Sequence, residues 1–284
     1  MELGPARRRR RRRYGEAVGD RITFLGHSTL LLELEGARLL TDPVLRARVL
    51  HLRRHGPAPA PDALRGLDGI LISHLHGDHF DPPSLRMLDR VTPLVVPRGA
   101  GRSARRLGFT HVHEVADGEE VTLGGVPVRA VPADHDERRW PTIGPAARPL
   151  GFIAGREHRT YFAGDTDLFD EMREIAREPL EVALLPVWGW GPTIGPGHMD
   201  PRRAAQAAAL LRPRIAVPIH WGTLYPLGVH RVRPKALARP PRVFEAWAAQ
   251  LAPAVQVRVL RPGEALDLEA LSAPPAASPR APTR

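Results

Sequence analysis

The 284-residue sequence contains no cysteine. Disulfides and thiolate metal sites are therefore excluded, and any bound metal must be held by nitrogen and oxygen ligands. The redox compartment stays open, because a cysteine-free chain suits either setting. Lysine is nearly missing as well: Lys235 stands alone among 41 basic residues, a bias that reads as coding preference and carries no mechanism. Aromatic residues are only 5% of the chain, and no apolar run approaches the roughly 18 residues that span a bilayer. The basic N-terminus has no apolar stretch behind it, so secretory and twin-arginine export are not expected and a cytoplasmic location is. What abounds is punctuation: 31 Pro and 26 Gly suit many short elements joined by turns and argue against a long-helix bundle.

The formal net charge of +10 resembles a nucleic-acid signature until it is localised. Residues 7–13 are all arginine, and without them the body carries only +3. A run of that kind is a solvated tail that adheres to any polyanion, and no aromatic interleaving or reader motif accompanies it. No specific nucleic-acid partner is expected. Residues 1–19 read as this basic disordered tail and 272–284 as a disordered Pro/Ala-rich one, leaving 20–271 as a single domain.

Within that body, short apolar runs bounded by turn residues predict strands at 21–25, 29–34, 38–41, 69–73, 94–96, 112–115, 120–123, 126–131, 150–154, 160–163, 182–186, 215–219 and 255–260. Asp81–Pro82 and Asp200–Pro201 each pair an N-cap residue with proline at the first helical position, and open helices at 82–88 and 202–211. Helical spacing also predicts 168–177, 242–251 and, more weakly, 101–107. Early strands in hairpin-like series and later strands alternating with helices imply an α/β protein with helices packed outside its sheets.

The chemistry concentrates at His74-Leu-His76-Gly-Asp78-His79, directly after an apolar strand and just before the capped helix at Pro82. His74 and His76 are two apart and share a side in extended backbone, while Gly77 allows a sharp turn. Four ligand-type side chains from so short a loop do not readily surround one ion, but they can serve two ions a few ångströms apart. Further ligand types stand where other strands end: His135 after 126–131, Asp165 after 160–163 and His220 after 215–219. Sites in α/β folds gather at one end of the strands in this way.

The series H-x-H-x-D-H, a later His, Gly164-Asp165-Thr166 and a final strand-end His resembles the metallo-β-lactamase superfamily over about residues 20–265. The resemblance implies a four-layer αβ/βα sandwich of two mixed sheets with helices outside. It implies one metal on His74, His76 and His135, a second on Asp78, His79 and His220, and Asp165 bridging them. Leu25-Gly-His27-Ser-Thr29, Thr41-Asp42-Pro43, Phe162-Ala-Gly-Asp-Thr166, His198-x-Asp200-Pro201 and Ile219-His-Trp-Gly-Thr223 are similar to the branch that contains the N-acylphosphatidylethanolamine-hydrolysing phospholipase D and its bacterial relatives. The segment from Pro186 to Gly195 and the acidic residue after His135 depart from that phospholipase.

These expectations amount to a zinc-dependent hydrolase, with Mn²⁺ or Fe²⁺ as alternatives because histidine and carboxylate ligands are borderline. A hydroxide bridging two such ions would attack an ester, amide, lactone or phosphodiester of a small or lipid-like substrate. The alternatives are a nucleic-acid phosphodiesterase of the same fold and a metal-binding scaffold without catalysis. Asp78 is the candidate to orient the attacking water, and His198 to contact the oxyanion or protonate the leaving group. Asp42 would lie beneath the metal loop and fix a ligand imidazole. Trp188, Trp190 and Trp221 would line an apolar mouth, and Arg138 and Arg139 would clamp an anionic group. The role of His27 is left even between the site and simple packing.

Overall fold

The computed structural model describes residues 19–137, 146–189, 195–232 and 234–272. In chain order the strands are β1 Arg21–Gly26, β2 Thr29–Leu34, β3 Ala37–Thr41, β4 Arg48–Val49, β5 Leu52–Arg54, β6 Gly69–Leu71, β7 Leu94–Pro97, β8 Val112–Val115 and β9 Glu120–Leu123. They continue as β10 Val126–Pro132, β11 Leu150–Ala154, β12 Thr160–Phe162, β13 Val182–Pro186, β14 Ile215–Ile219, β15 Leu224–Pro226, β16 Gln256–Val257 and β17 Ala265–Asp267. Two seven-stranded mixed sheets result, ordered β17-β1-β2-β3-β6-β7-β8 and β16-β14-β13-β12-β11-β10-β9, with a small sheet β15-β5-β4 beside them. In each large sheet, an antiparallel half meets a parallel half.

Side-chain alternation explains why the sheets stack. Leu30, Leu32, Leu34, Leu39, Leu71 and Val95 face the core shared with Phe152, Phe162 and Leu184 of the second sheet. Their neighbours Leu31, Leu40, Ile70, Ile72, Leu94 and Val96 point the other way, against Leu85, Leu88, Ala100 and Ala104 of the short helices Pro82–Leu85 and Gly101–Arg106 and the turns beside them. Strands buried on both faces need covering layers on both, and each fully buried Leu or Phe contributes about 1.5–3 kcal/mol. On the far side, the helices Pro201–Leu211 and Arg239–Leu251 turn their alanines and Phe244 inward onto the second sheet. Both N-caps expected at Asp81 and Asp200 are formed, accepting the Ser84 and Arg203 N–H groups.

All thirteen expected strands are present, with differences at their ends. The strand expected over 69–73 stops at Leu71, because the Ser73 N–H is taken by the Asp42 carboxylate and not by a neighbouring strand. Strand 255–260 shortens to Gln256–Val257, and helix 168–177 to Met172–Ile175. The small sheet was not expected: its strands are two or three residues long, too short for any periodicity to register. Among the described residues, no helix is long and apolar enough to cross a membrane.

Candidate metal centre

β1, β3 and β6 run in one direction in the first sheet, and β10, β12 and β14 share one in the second. Their carboxyl ends meet along one edge of the sandwich, so His27, Asp42, the 73–79 loop, His135, Asp165 and His220 emerge side by side. Three of these residues, each the first after its strand, hold left-handed backbone: His27 at φ 61°, Asp42 at φ 31° and His220 at φ 60°. Such strain in non-glycine residues persists only where the surroundings impose it, and it clusters at functional sites. Here the His220 N–H donates to the His27 carbonyl at 2.9 Å, tying the strand ends of the two sheets together. Gly164, at φ +62°, passes so close beneath the loop that an added Cβ would stand 2.5 Å from Ser73 Cβ.

The 73–79 loop is fixed from below and from both ends. Leu75 and Phe80 are buried beneath it. The His79 and Phe80 N–H groups both return to the His76 carbonyl, which makes the turn around Gly77. Asp81 caps the following helix and receives a two-pronged contact from Arg46, at 2.8 Å on each oxygen.

Two groups of ligand atoms result. His74, His76 and His135 form a nearly equilateral triad, with ring centroids 4.6, 4.6 and 4.7 Å apart. His76 Nδ1 and His135 Nε2 face each other at 2.9 Å. In the second group, His79 Nε2 lies 3.3 Å from His220 Nε2, and Asp165 Oδ2 is 3.0 and 3.2 Å from these two nitrogens. Asp78 Oδ2 closes this group at 3.9 and 3.7 Å from the same nitrogens. A tetrahedral cation with ligands at 2.0–2.1 Å has ligand–ligand edges of about 3.3–3.4 Å, which the measured spacings bracket.

The hydrogen bonds behind these atoms fix which nitrogen carries a lone pair. His79 Nδ1 faces Asp42 Oδ2 at 2.7 Å, His220 Nδ1 faces the Trp188 carbonyl at 2.6 Å, and His135 Nδ1 faces the Gly197 carbonyl at 2.6 Å. Each acceptor demands a proton on Nδ1, so in the neutral ring each Nε2 presents a lone pair. Ser73 Oγ–H donates to Asp42 Oδ2 at 2.6 Å and so accepts from His74 Nδ1 at 2.9 Å. His74 Nε2 is then a lone pair too, and it is buried with no hydrogen-bond partner, as is Asp165 Oδ1. Orphaned acceptors of this kind are rare in protein interiors unless an ion completes them. The donor set, its spacing and its two orphans fit a pair of divalent cations. The other sets of ligand atoms that converge here, His135–Asp165–His198 and Asp42–His74–His79, interlock with the same two groups.

Electrostatics divide the site the same way. Burial, joined by His79 and His135, holds the His74 pKa well below the ordinary histidine value, and burial lowers His135 to about 4. Burial also opposes charge on His79 and His220, but around His79 the carboxylates of Asp165, Asp78 and Asp42 outweigh it and raise the pKa far above normal. Asp165 and Asp78 do the same for His220, which reaches about 9. The carboxylates answer in kind: burial resists their charge, yet chiefly His79 holds Asp78, and His220 holds Asp165, well below the carboxylate range. Without a metal, protons on His79 and His220 supply the positive charge that the carboxylates demand.

His74, His76, Asp78, His79, His135, Asp165 and His220 all stand in these two groups, and Asp42 lies beneath them, fully buried. His198 is at the rim, its Nε2 3.4 Å from Asp165 Oδ2 and its ring 4.6 Å from that of His135. Trp188 is half-buried beside Tyr225, its carbonyl on His220. Trp221 is a correction: it was expected at the mouth but is 7% exposed, stacked on Phe24 with its indole N–H given to the Pro218 carbonyl. His220 breaks the strand's alternation with its left-handed backbone, and the residue after it is turned inward against Phe24. Arg138, Arg139 and Trp190 lie outside the described residues. His27, which the sequence left even, belongs to the site: its Nε2 is 3.0 Å from Asp78 Oδ2 and its ring centroid 3.9 Å from that of His220. The signal was its position directly after a strand, the feature that singled out His220.

A family model for the beta-lactamase superfamily domain matches residues 37–221. The chain is 32% identical over 253 residues to a metal-dependent hydrolase of Methanopyrus kandleri, covering 87% of this chain and 99% of that one. It is 30% identical over 238 residues to N-acyl-phosphatidylethanolamine-hydrolyzing phospholipase D 1 of Caenorhabditis elegans, covering 72% of this chain and 64% of the phospholipase. Among solved structures, the metallo hydrolase Igni18 of Ignicoccus hospitalis superposes with a TM-score of 0.64 at 26% identity, over 87% of this chain and 97% of Igni18.

Proposed function

The chain belongs to the metallo-β-lactamase superfamily, and we propose that this metal-dependent hydrolase works with a pair of divalent cations, most readily Zn²⁺, on an ester, amide, lactone or phosphodiester. His74, His76 and His135 would hold one cation, and Asp78, His79 and His220 the other, with Asp165 in reach of both. When bound, such a pair supplies Lewis acidity toward the substrate oxygen and lowers the pKa of water into the neutral range. The observation that carries the reading is the meeting of His79 Nε2 and His220 Nε2 at 3.3 Å, each with its other nitrogen committed to an acceptor. Two imidazole nitrogens brought this close, with Asp165 Oδ2 beside both, need positive charge between them, which protons supply in the metal-free chain and a cation would supply in their place.

The chain's own residues divide the remaining work. Asp42 and the carbonyls of Gly197 and Trp188 hold the ligand imidazoles in one tautomer and one orientation. Asp78, with His27 bonded to its Oδ2, is placed to accept a hydrogen bond from an attacking water. Burial opposes a proton on His198 at the rim, but Asp165 outweighs it and raises the pKa, which favours the protonated ring. It can give that proton to a leaving group or hydrogen-bond a developing oxyanion. Trp188 offers an apolar wall beside His220. Similarity to the nematode phospholipase supports a lipid-like phosphodiester as the first substrate class to try.

The test pairs metal analysis with turnover. Purified protein should carry about two divalent ions per chain. His79→Ala and His220→Ala should each remove one of them and abolish turnover across a panel of esters, lactones and phosphodiesters, while circular dichroism stays native. Undiminished rates in the metal-stripped double variant would refute the reading.

A further inference from the structure

Beside the metal loop, the small sheet β4-β5-β15 carries two of the five large apolar side chains that are exposed among the described residues: Leu50 at 56% and Leu227 at 50%. They are neighbours in space, because the Leu227 N–H donates to the carbonyl of His51 at 3.2 Å, one residue beyond Leu50. Leu50 also holds left-handed backbone at φ 50°. That conformation suits glycine or asparagine, and a bulky residue there is strained. A strained turn that keeps a leucine with more than half of its side chain exposed points to a use for that apolar group outside the folded chain.

The position of the patch and its charge say what. Leu50 lies over the metal loop: a Cβ added to Gly77 would be 3.3 Å from its Cδ1. The segments that build this lip, 43–61 and 224–238, contain no aspartate or glutamate. Arg48 and Arg53, paired across β4 and β5 on either side of the Leu50 turn, are exposed, as are Arg231 and Lys235 in the segment that follows Leu227. The carboxylates closest in the metal loop, Asp78 and Asp81, are turned inward with side chains 12% and 2% exposed. The lip's own surface therefore offers apolar tips and cations, which match the acyl boundary and anionic head groups of a membrane interface. Nucleic acid would use the cations but not the leucines.

We propose that the β4–β5 turn and the end of β15 form a docking lip for an anionic lipid surface, with Leu50 and Leu227 entering the acyl boundary and the metal site facing the bilayer. The lip is peripheral. It stands apart from the reaction assigned above, since binding can be read with no turnover at all.

The absence of cysteine makes the experiment direct. The full chain carrying His51→Cys is labelled with an environment-sensitive dye, and Glu157→Cys, exposed at the opposite edge, serves as control. Each is mixed with vesicles of phosphatidylcholine alone or of equal parts phosphatidylcholine and phosphatidylserine. Emission at position 51 should rise and shift to the blue on the mixed vesicles only, with position 157 unchanged. In the same background, Leu50→Asn with Leu227→Asn should weaken the partition read at position 51 about tenfold or more, although asparagine suits the Leu50 backbone and the melting temperature should not fall. Arg48→Ser with Arg53→Ser should weaken it by a similar factor on mixed vesicles and leave phosphatidylcholine unaffected. Because the arginine tail is common to all variants, its own attraction cancels. A silent dye at position 51, or an asparagine pair that partitions like the parent, overturns the proposal. So does self-association in free solution that the asparagine pair abolishes, which would give the face to a second copy of the chain.

Discussion

Replacing Asp42 by asparagine changes one atom of a fully buried side chain and tests the logic of the whole site. Asp42 Oδ1 accepts the Ser73 N–H at 2.8 Å, while Oδ2 accepts from Ser73 Oγ at 2.6 Å and His79 Nδ1 at 2.7 Å. An amide has one acceptor atom for these two tasks. If its oxygen keeps Ser73 N–H, its NH₂ faces His79, whose proton must then move to Nε2, the atom that would hold metal. If the amide flips, NH₂ meets the Ser73 N–H, and the loop that carries His74 and His76 loses its anchor. Either way a charge-assisted hydrogen bond worth about 1.5–3 kcal/mol is lost, and the ligand imidazole loses its orienting partner, which typically costs about 10–100-fold in metal affinity. A thirtyfold loss corresponds to about 2 kcal/mol of metal-dependent stabilisation. For a domain of this size that is roughly 4–8 °C in melting temperature. The assay is a melt of parent and Asp42→Asn with zinc and with chelator, beside a titration against a chromophoric chelator. The variant should lose most of the gain that zinc gives the parent. Metal affinity within about threefold of the parent would refute the tautomer argument.

In the metal-free protein, stability should form a dome in pH. His220 has its folded pKa raised from 6.5 to about 9, so its contribution is full below 6.5 and is lost as pH rises through about 9. His135 and His27 are lowered from 6.5 to about 4 and about 3, so theirs is present above 6.5 and is lost as pH falls below it. Melts in chelator should peak near neutrality, and saturating zinc should remove the alkaline decline; a flat alkaline limb would contradict the proton-for-metal exchange at His220. Gly164→Ala should destabilise by about 2–4 kcal/mol and strip metal, since its Cβ would drive into Ser73 from a left-handed backbone. Gly195→Ala, with nothing within 4 Å, should be neutral in the same denaturant titration.

The parts of this molecule that its sequence announced are those where one local rule acts alone. Strands buried on both faces must be apolar runs, so β11, β13 and β14 could be read at their observed bounds. Asp-Pro at a helix start cannot easily mean anything else, and both such caps formed. The candidate ligand histidines at strand ends were legible because polar residues there have no packing reason to exist. What escaped notice depends on partners far along the chain. β6 ends two residues early because Asp42, 31 positions away, takes the Ser73 N–H, and no window around residue 73 contains that fact. Trp221 lies beside a ligand and still belongs to the core, because Phe24 from the other sheet supplies its stacking partner. His27 joins the site through Asp78, 51 positions away, and through the carbonyl it offers His220. The small sheet follows the same rule: β5 pairs with β15 across about 170 residues, through strands too short to show a period. Its exposed leucine at a left-handed turn is the reverse case, in which the local rule is broken and more than half of the side chain stays exposed. A residue that violates its own backbone preference and leaves most of its side chain exposed directs attention outward, to whatever the edge beside the metal loop meets.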